Sequence, residues 1–456
     1  MSEQEQISPV MRELSVYIAS ALRRPLPVAV VEKSKHHILD TIAAMMSGSR
    51  LAPGRNAIAY VKTLGGVKEA CVVGSSIITT AVNAALANGM LAHADETDDS
   101  HAPSLTHPGC GIVPAALAMA ERERRNGAAL IRAVTLGYDI GCRLTQSLDA
   151  YEFRNDGHST HSFGPLFGAA AAAGALAGLR ELQVRHLLSF AAQQASGISC
   201  WMRDRKHVEK AFDFGGMPAR NGVTAATMVA HGFTGVDDVF AGERNFFVAY
   251  GRKPDPNVLV RGLGATYEIM NTNIKRWSVG SPIQAPLDSL LDLIREHQIK
   301  AEDVERLVVR VAHQGANTVD NRAMPDICIQ HMCAIMLIDG KVTFASSHDE
   351  KRMSDRQVLG LRERIELRGD DALSAAMPSR QGIVEISLRN GRQLRQHTRA
   401  VRGTAENPMT RAEVDEKSYD LMAPVIGKSR ARKLCDAVWK LEKMRDVCSL
   451  RSLLRA

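Results

Sequence analysis

The sequence predicts a mostly α fold. A large all-helical domain (1–270, completed by 404–456) surrounds a smaller α+β domain at 271–403. Three observations carry this. Apolar residues recur at helical spacing through the first part of the chain and again from Thr410 onward. Alanine is abundant and aromatics are 5%, which favours closely packed helices over strand-rich cores. Between the helical stretches the period changes to that of strands. A chain of 456 residues also exceeds one ordinary core and fits two domains.

The elements follow in order. Ser8-Pro9 starts a helix, because serine caps and proline suits the first helical position. A second helix runs from Val28 to Met46 and stops at Gly48. Further helices are predicted at about 78–93, 111–124, 127–147, 164–178, 182–197 and 219–231. The stretch 163–179, FGPLFGAAAAAGALAGL, is almost entirely small and apolar and reads as a buried helix. VERLVVRVAH (304–313) alternates like a half-covered strand. GIVEISLRNGRQLRQHTRA (382–400) is two alternating runs joined by Asn390-Gly391, a hairpin signal whose usual turn places both residues at positive φ.

Composition excludes several classes. The net charge is +7, but the basic residues are spread out, with a modest concentration at Lys428, Arg430, Arg432 and Lys433. No arginine-rich arm or aromatic–basic alternation points to nucleic acid. A small anionic substrate is a sufficient partner for the basic excess. The eight cysteines include no CxxC and no zinc-ribbon or iron–sulfur spacing, so a reducing, cytoplasmic setting is expected. The N-terminus lacks a signal-peptide pattern, and no apolar run reaches the roughly 18 residues of a membrane span.

The chemistry concentrates in His93-Ala-Asp-Glu-Thr-Asp-Asp-Ser-His101, followed by Thr106-His107-Pro108. Four carboxylates and two histidines in nine residues are too polar for a core helix and imply a solvated loop or a site. Histidine, carboxylate and hydroxyl together are the residue types of acid–base chemistry. Read as metal ligands, His93, Asp95, Asp98, Asp99, His101 and His107 would instead suggest a metal-dependent hydrolase, although no HExxH pattern is present. An idle polyacid-binding protein is the third reading.

The segment ANGMLAHADETDDSHAPSLTHPGCGIVPAALAMAE resembles the signature of the MmgE/PrpD family: an apolar helix, a histidine, a D-x-D-D-[TS] run, a histidine–proline and a second apolar helix. DGHSTHSFGPLFGAAAAAGALAGL, EKAFDFGGMPARNGVTAATMVAHGFTG, NIKRWSVGSPIQAPLDSLLDL and ICIQHMCAIMLIDG resemble further family motifs in the right order. The resemblance implies a helical domain with an α+β lid domain and a site in the cleft between them. It implies a homodimer and a lyase that needs neither metal nor other cofactor. The reaction it implies is 2-methylcitrate dehydratase-like, with cis-aconitate-type decarboxylation and iminodisuccinate-type epimerisation as alternatives.

The resemblance assigns roles by position. His107 is the first acid–base residue and His158 the second. Glu96 stands where the family has its first aspartate, with Asp95 as a neighbour that can take the same place in space. Ser100 fills the threonine or serine position. Lys210 matches the lysine upstream of the ARxG helix, with Lys206 as a rival. Lys275 and Arg276 are a second source of positive charge for a polycarboxylate. Asp99 and His161 are further binding candidates. His331 replaces a tyrosine of several members, which changes the intrinsic pKa by about three units.

Overall fold

The computed structural model describes residues 7–456. Contacts divide the chain into two units: the residues up to Thr272 with Arg411–Ala456, and Asn273–Thr410.

The first unit begins as the sequence predicts, with the Ser8 side chain accepting from the Met11 N–H at the start of α1 (Pro9–Ser20). Helix α2 (Val28–Gly48) is buried along most of its length. Helix α3 (Ala52–Leu64) has no counterpart in the sequence reading. It buries only Pro53, Gly54, Ala57 and Val61, too few apolar positions to show a clear period. A short pairing of β1 (Ala70–Cys71) with β2 (Ile78–Thr79) leads into α4 (Ala81–Ala92). Then come α5 (Pro108–Arg122), α6 (Gly127–Ser147), the short α7 (Ala150–Asn155), α8 (Thr160–Ala177) and α9 (Glu181–Gln193).

Helix α8 is the centre of this unit, and every residue from Thr160 to Leu176 is buried. Glycines let α6 and α8 touch backbone to backbone. A Cβ on Gly141 would lie 2.8 Å from the Gly164 carbonyl oxygen, and one on Gly164 would lie 2.7 Å from that of Gly141. Alanine at either position would force the helices apart. Further on, α10 (Val208–Ala211) runs through a π-helical turn at Phe212–Gly216 into α11 (Met217–Ala230). Among the described residues no single helix is long and apolar enough to cross a membrane.

The second unit is a four-stranded sheet with helices on its buried face. Its strands are β3 (Val304–Ala312), β4 (Ile365–Asp370), β5 (Gly382–Leu388) and β6 (Gln393–Thr398), in the order β4-β3-β5-β6. The β3–β4 pair is parallel and the others are antiparallel. Leu307, Val309 and Val311 of β3 pack in one core with Leu287 and Leu290 of the helix Ser281–His297 and Met332 and Ile335 of the helix Ile329–Asp339. The alternation expected along β3 is broken by a register shift between Val304 and Arg306.

The hairpin turn differs from the expected one. Gly391 has φ +84°, while Asn390 is not among the residues at positive φ. The Leu388 carbonyl accepts from Gly391 N–H, and Leu388 N–H donates to the Arg392 carbonyl. This is a three-residue loop with glycine in the left-handed position, and the Asn390 side chain accepts from the Arg392 N–H.

Candidate active site

The loop between α4 and α5 carries the acidic run. His93 is the C-cap of α4 and His107 the N-cap residue of α5, so two helix ends fix two imidazoles 5.1 Å apart between ring centres. Pro108 suits the first turn of α5 because that turn has no backbone acceptor for its missing N–H. Asp98 lies between the two rings: His93 Nδ1 is 2.9 Å from one carboxylate oxygen and His107 Nδ1 is 3.0 Å from the other.

The acidic run is buried, not solvated. Asp98 and Asp99 have 0% exposure, Asp95 4% and Glu96 6%. Burial at this density is tolerable only because each carboxylate has partners. Burial pushes the Asp98 carboxyl up, but the two imidazoles outweigh it and hold it well below the usual carboxylate range. Asp98 therefore stays an acceptor, and both histidines present Nδ1 to it.

Phe214 comes from the π-helical turn and forms the floor of the cluster. Its ring stacks on His161 at 3.7 Å and on His93 at 4.3 Å. His161 also lies 5.2 Å from His107. Lys210 pairs with Glu96, and its ammonium sits 5.2 Å over Phe214 and 5.5 Å over Trp201. His207 is buried with its ring 5.0 Å from that of His93, and it has φ +59°. Burial pushes both His161 and His207 well below the ordinary histidine value; His107 adds to the effect on the first and Lys210 to that on the second. The result is a largely buried cluster of four imidazoles, two of them on one carboxylate, with one ammonium–carboxylate pair at its side. Such a set can move protons and bind an anion.

Several expected residues fall elsewhere. The His158 ring does not join these imidazoles; it stacks on Phe153 at 4.5 Å and meets Phe163 and Tyr250 edge-on. His161, one helical turn on, takes the place instead, because α8 begins at Thr160 and turns that face inward. Asp99 faces the scaffold: it accepts from His37 Nδ1 (2.7 Å), Tyr138 OH (2.5 Å) and Gly109 N–H (2.9 Å). Asp95 accepts from the Thr97 N–H and hydroxyl, a local turn, so Glu96 is the carboxylate that reaches Lys210. Ser100 is half-buried beside the His101–Thr106 bridge. Lys206 is exposed. The six-residue ligand set of the hydrolase reading is divided among these networks, with His101 turned to Ser104 and Glu268.

Lys275, Arg276 and His331 belong to the second unit. Lys275 is buried. Arg276 pairs with Asp288 at 3.2 Å and covers the Trp277 ring. His331 has 0% exposure, and burial, with Arg362 and Arg352 beside it, pushes it down to about 4.

The sequence reading gave no role to Trp201, His207 or Phe214, and it gave His93 a place in the family signature but a chemical role only in the hydrolase alternative. Phe214 stands two residues before Gly216 in FDFGG, and nothing in that pattern signals a π-helical turn. His207 follows Lys206 in a polar stretch that reads as surface.

The helical unit, whose chain is interrupted after Thr272 and resumes at Arg411, holds a buried histidine–carboxylate–lysine cluster of the kind used by acid–base enzymes. The chain belongs to the MmgE/PrpD family: the MmgE/PrpD N-terminal domain matches residues 12–259 and the MmgE/PrpD C-terminal domain residues 277–443. It is 23% identical over 477 residues to a cis-aconitate decarboxylase-like protein of Aspergillus oryzae, across 98% of this chain and 97% of that one. It is likewise 23% identical over 483 residues to a cis-aconitate decarboxylase of Aspergillus terreus, across 98% and 96%.

Proposed function

We propose that this protein is a cofactor-independent hydro-lyase that dehydrates a small 3-hydroxy di- or tricarboxylate of the 2-methylcitrate type. The observation that carries this reading is the single carboxylate, Asp98, holding both His93 and His107 by Nδ1. Dehydration needs a base for the proton next to the carboxylate and an acid for the departing hydroxyl. Two imidazoles oriented by one anion supply both. His107, with 13% of its side chain exposed, is the one we assign to the substrate proton, and His93, on the buried side of Asp98, is assigned the proton that leaves with the hydroxyl as water. Lys210 exchanges part of its pairing with Glu96 for a substrate carboxylate and steadies the enediolate that forms on proton loss. His161, held neutral by burial, contributes a hydrogen bond without adding charge.

Decarboxylation is the second reading, favoured by the names of the two Aspergillus relatives. It passes through a similar carbanion but needs only one proton donor. The test is to incubate purified protein with 2-methylcitrate and citrate-type hydroxy acids and, separately, with cis-aconitate, following alkene formation and carbon dioxide release. Alkene formation without carbon dioxide is expected. Carbon dioxide from cis-aconitate with no dehydration of any hydroxy acid would replace the first reading by the second.

A further inference from the structure

The cluster also has the makings of a metal-binding site. We propose that His93, His207 and Glu96 bind a zinc-class divalent cation, which inhibits the enzyme, and that Lys210 is the built-in competitor for this place. The inhibitory part rests on the hydro-lyase reading; the binding part does not.

Three observations converge. One ligand atom from each of His93, Glu96 and His207 lies within 4.8 Å of the others, and all three residues are buried. The Nε2 atoms of His93 and His207 are buried without a hydrogen-bond partner. Polar atoms at such depth are normally satisfied, so two on one cluster point to a ligand. Finally, His93 gives its Nδ1 to the Asp98 carboxylate at 2.9 Å. A carboxylate only accepts, so the proton is on Nδ1 and the lone pair of the neutral ring is on Nε2. A carboxylate behind a histidine in this way is the usual outer support of a zinc ligand.

The donor set selects the ion. Two imidazoles and a carboxylate suit zinc and similar ions, whereas magnesium and calcium prefer all-oxygen sites. Zinc–ligand distances of about 2.0–2.2 Å put neighbouring ligand atoms roughly 3.5 Å apart, so the three side chains need to close by at most about 1 Å. The alternative trio of His93, Asp98 and Cys110 is less suited. Asp98 already serves two imidazoles, and the Cys110 thiol donates to the carbonyl oxygens of His107 and Phe214.

Lys210 explains why the site is conditional. Its ammonium pairs with Glu96 and thus holds the position a cation would take. Its side chain is 18% exposed, so it has a route out to water. A divalent ion would then replace a single charge beside Glu96, with Asp98 near enough to balance the second.

The test is isothermal titration of the metal-stripped full-length protein with zinc chloride, without substrate, alongside magnesium and calcium chloride. One zinc site and no response to magnesium or calcium are expected. His207→Phe should weaken zinc binding by about 10-fold or more, at least the loss expected for a residue that only supports a metal ligand, and Lys210→Met should tighten it by about 10-fold. His207→Asn, with its thermal unfolding measured, guards against a misfolded phenylalanine variant. Absence of zinc binding, or binding that neither substitution moves, would overturn the proposal. In the turnover assay, zinc should inhibit and a chelator restore. Zinc binding with the expected response to both variants, but no turnover of any acid, would sink the hydro-lyase reading and leave the metal site standing. Turnover that zinc leaves untouched would remove the inhibitory role.

Discussion

Asp98 and Asp99 are consecutive and equally buried, yet they serve different regions of the helical unit. Asp98 turns to the two imidazoles at the helix ends. Asp99 turns to His37 of α2, Tyr138 of α6 and the first turn of α5, and so ties three helices together. The space there is tight: a Cβ on Gly109 would lie 2.8 Å from Asp99, Thr41 and Tyr138 oxygens alike. A second clamp comes from the helix Arg411–Ile426, whose Lys417 pairs with Asp40 at 2.6 Å and donates to the Thr97 carbonyl at 3.0 Å. The lesson is that a carboxylate's job in a dense acidic run is set by its direction. On the proposed reading, one side of the loop serves the chemistry and the other holds the loop still.

The sharpest way to break this division is at His107. On the reading above, His107→Asn lowers kcat by about 100- to 10,000-fold, the range for losing a general acid–base group. Its unfolding midpoint should stay close to that of the parent, since the ring is partly exposed and an asparagine amide can still donate to Asp98. A large fall in stability with kcat retained would reverse the assignment. Asp99→Ala is the mirror image. It strands three buried donors at about 1–3 kcal/mol each, so a loss of about 3 kcal/mol or more is expected in denaturant unfolding. Any activity loss should follow the unfolded fraction. A stable variant that has lost only turnover would place Asp99 with Asp98.

The scaffold side also has a pH signature. Burial pushes His37 down to about 4, against the pull of Asp99. In the unfolded chain the ring takes up a proton near pH 6.5; in the folded protein it resists until about 4. Between these values the unfolded state binds more protons, so acidification destabilises by about 1.4 kcal/mol per pH unit. Asp40, raised to about 6 by burial, works in the opposite direction over the lower part of this window. The comparison of parent with His37→Gln isolates the histidine. The stability gap between them should narrow as pH falls from 6.5 to 4, and a constant gap would contradict this account.

Much of the fold was legible because the relevant signals are local. Ser8-Pro9, the small-residue run of α8 and the alternation of β3 and β5 each announce an element within a few residues. Strand β4 was missed: it is a short run, IELRGD, and its Arg368 and Glu366 pair on the sheet surface. In the candidate site, the density of histidine and carboxylate singled out the segment His93–His107, and the family resemblance assigned roles within it. The division of labour between Asp98 and Asp99 was not legible. Which way Asp98 and Asp99 point depends on α2 and α6, distant in sequence, and the Phe214 platform depends on a π-helical turn that has no composition of its own.

The smallest expected effect is at His158, where the sequence motif and the geometry part company. Its position in the His-x-Thr turn resembles that of a catalytic histidine, but its ring lies among Phe153, Phe163 and Tyr250. The backbone does its own work there: His158 bridges to Ile198, and its carbonyl accepts from the Ser199 hydroxyl. A phenylalanine keeps both the stacking and the backbone bonds. His158→Phe should therefore change kcat by no more than about 3-fold and stability by less than about 1 kcal/mol, the usual range for a shape-conserving change. His161→Phe removes an imidazole from the cluster itself and should cost on the order of 10-fold or more in kcat, toward the range for acid–base groups. If the two variants change places in a steady-state assay, the motif reads the site better than the geometry does, and the catalytic side of the loop must extend beyond the reach of Asp98.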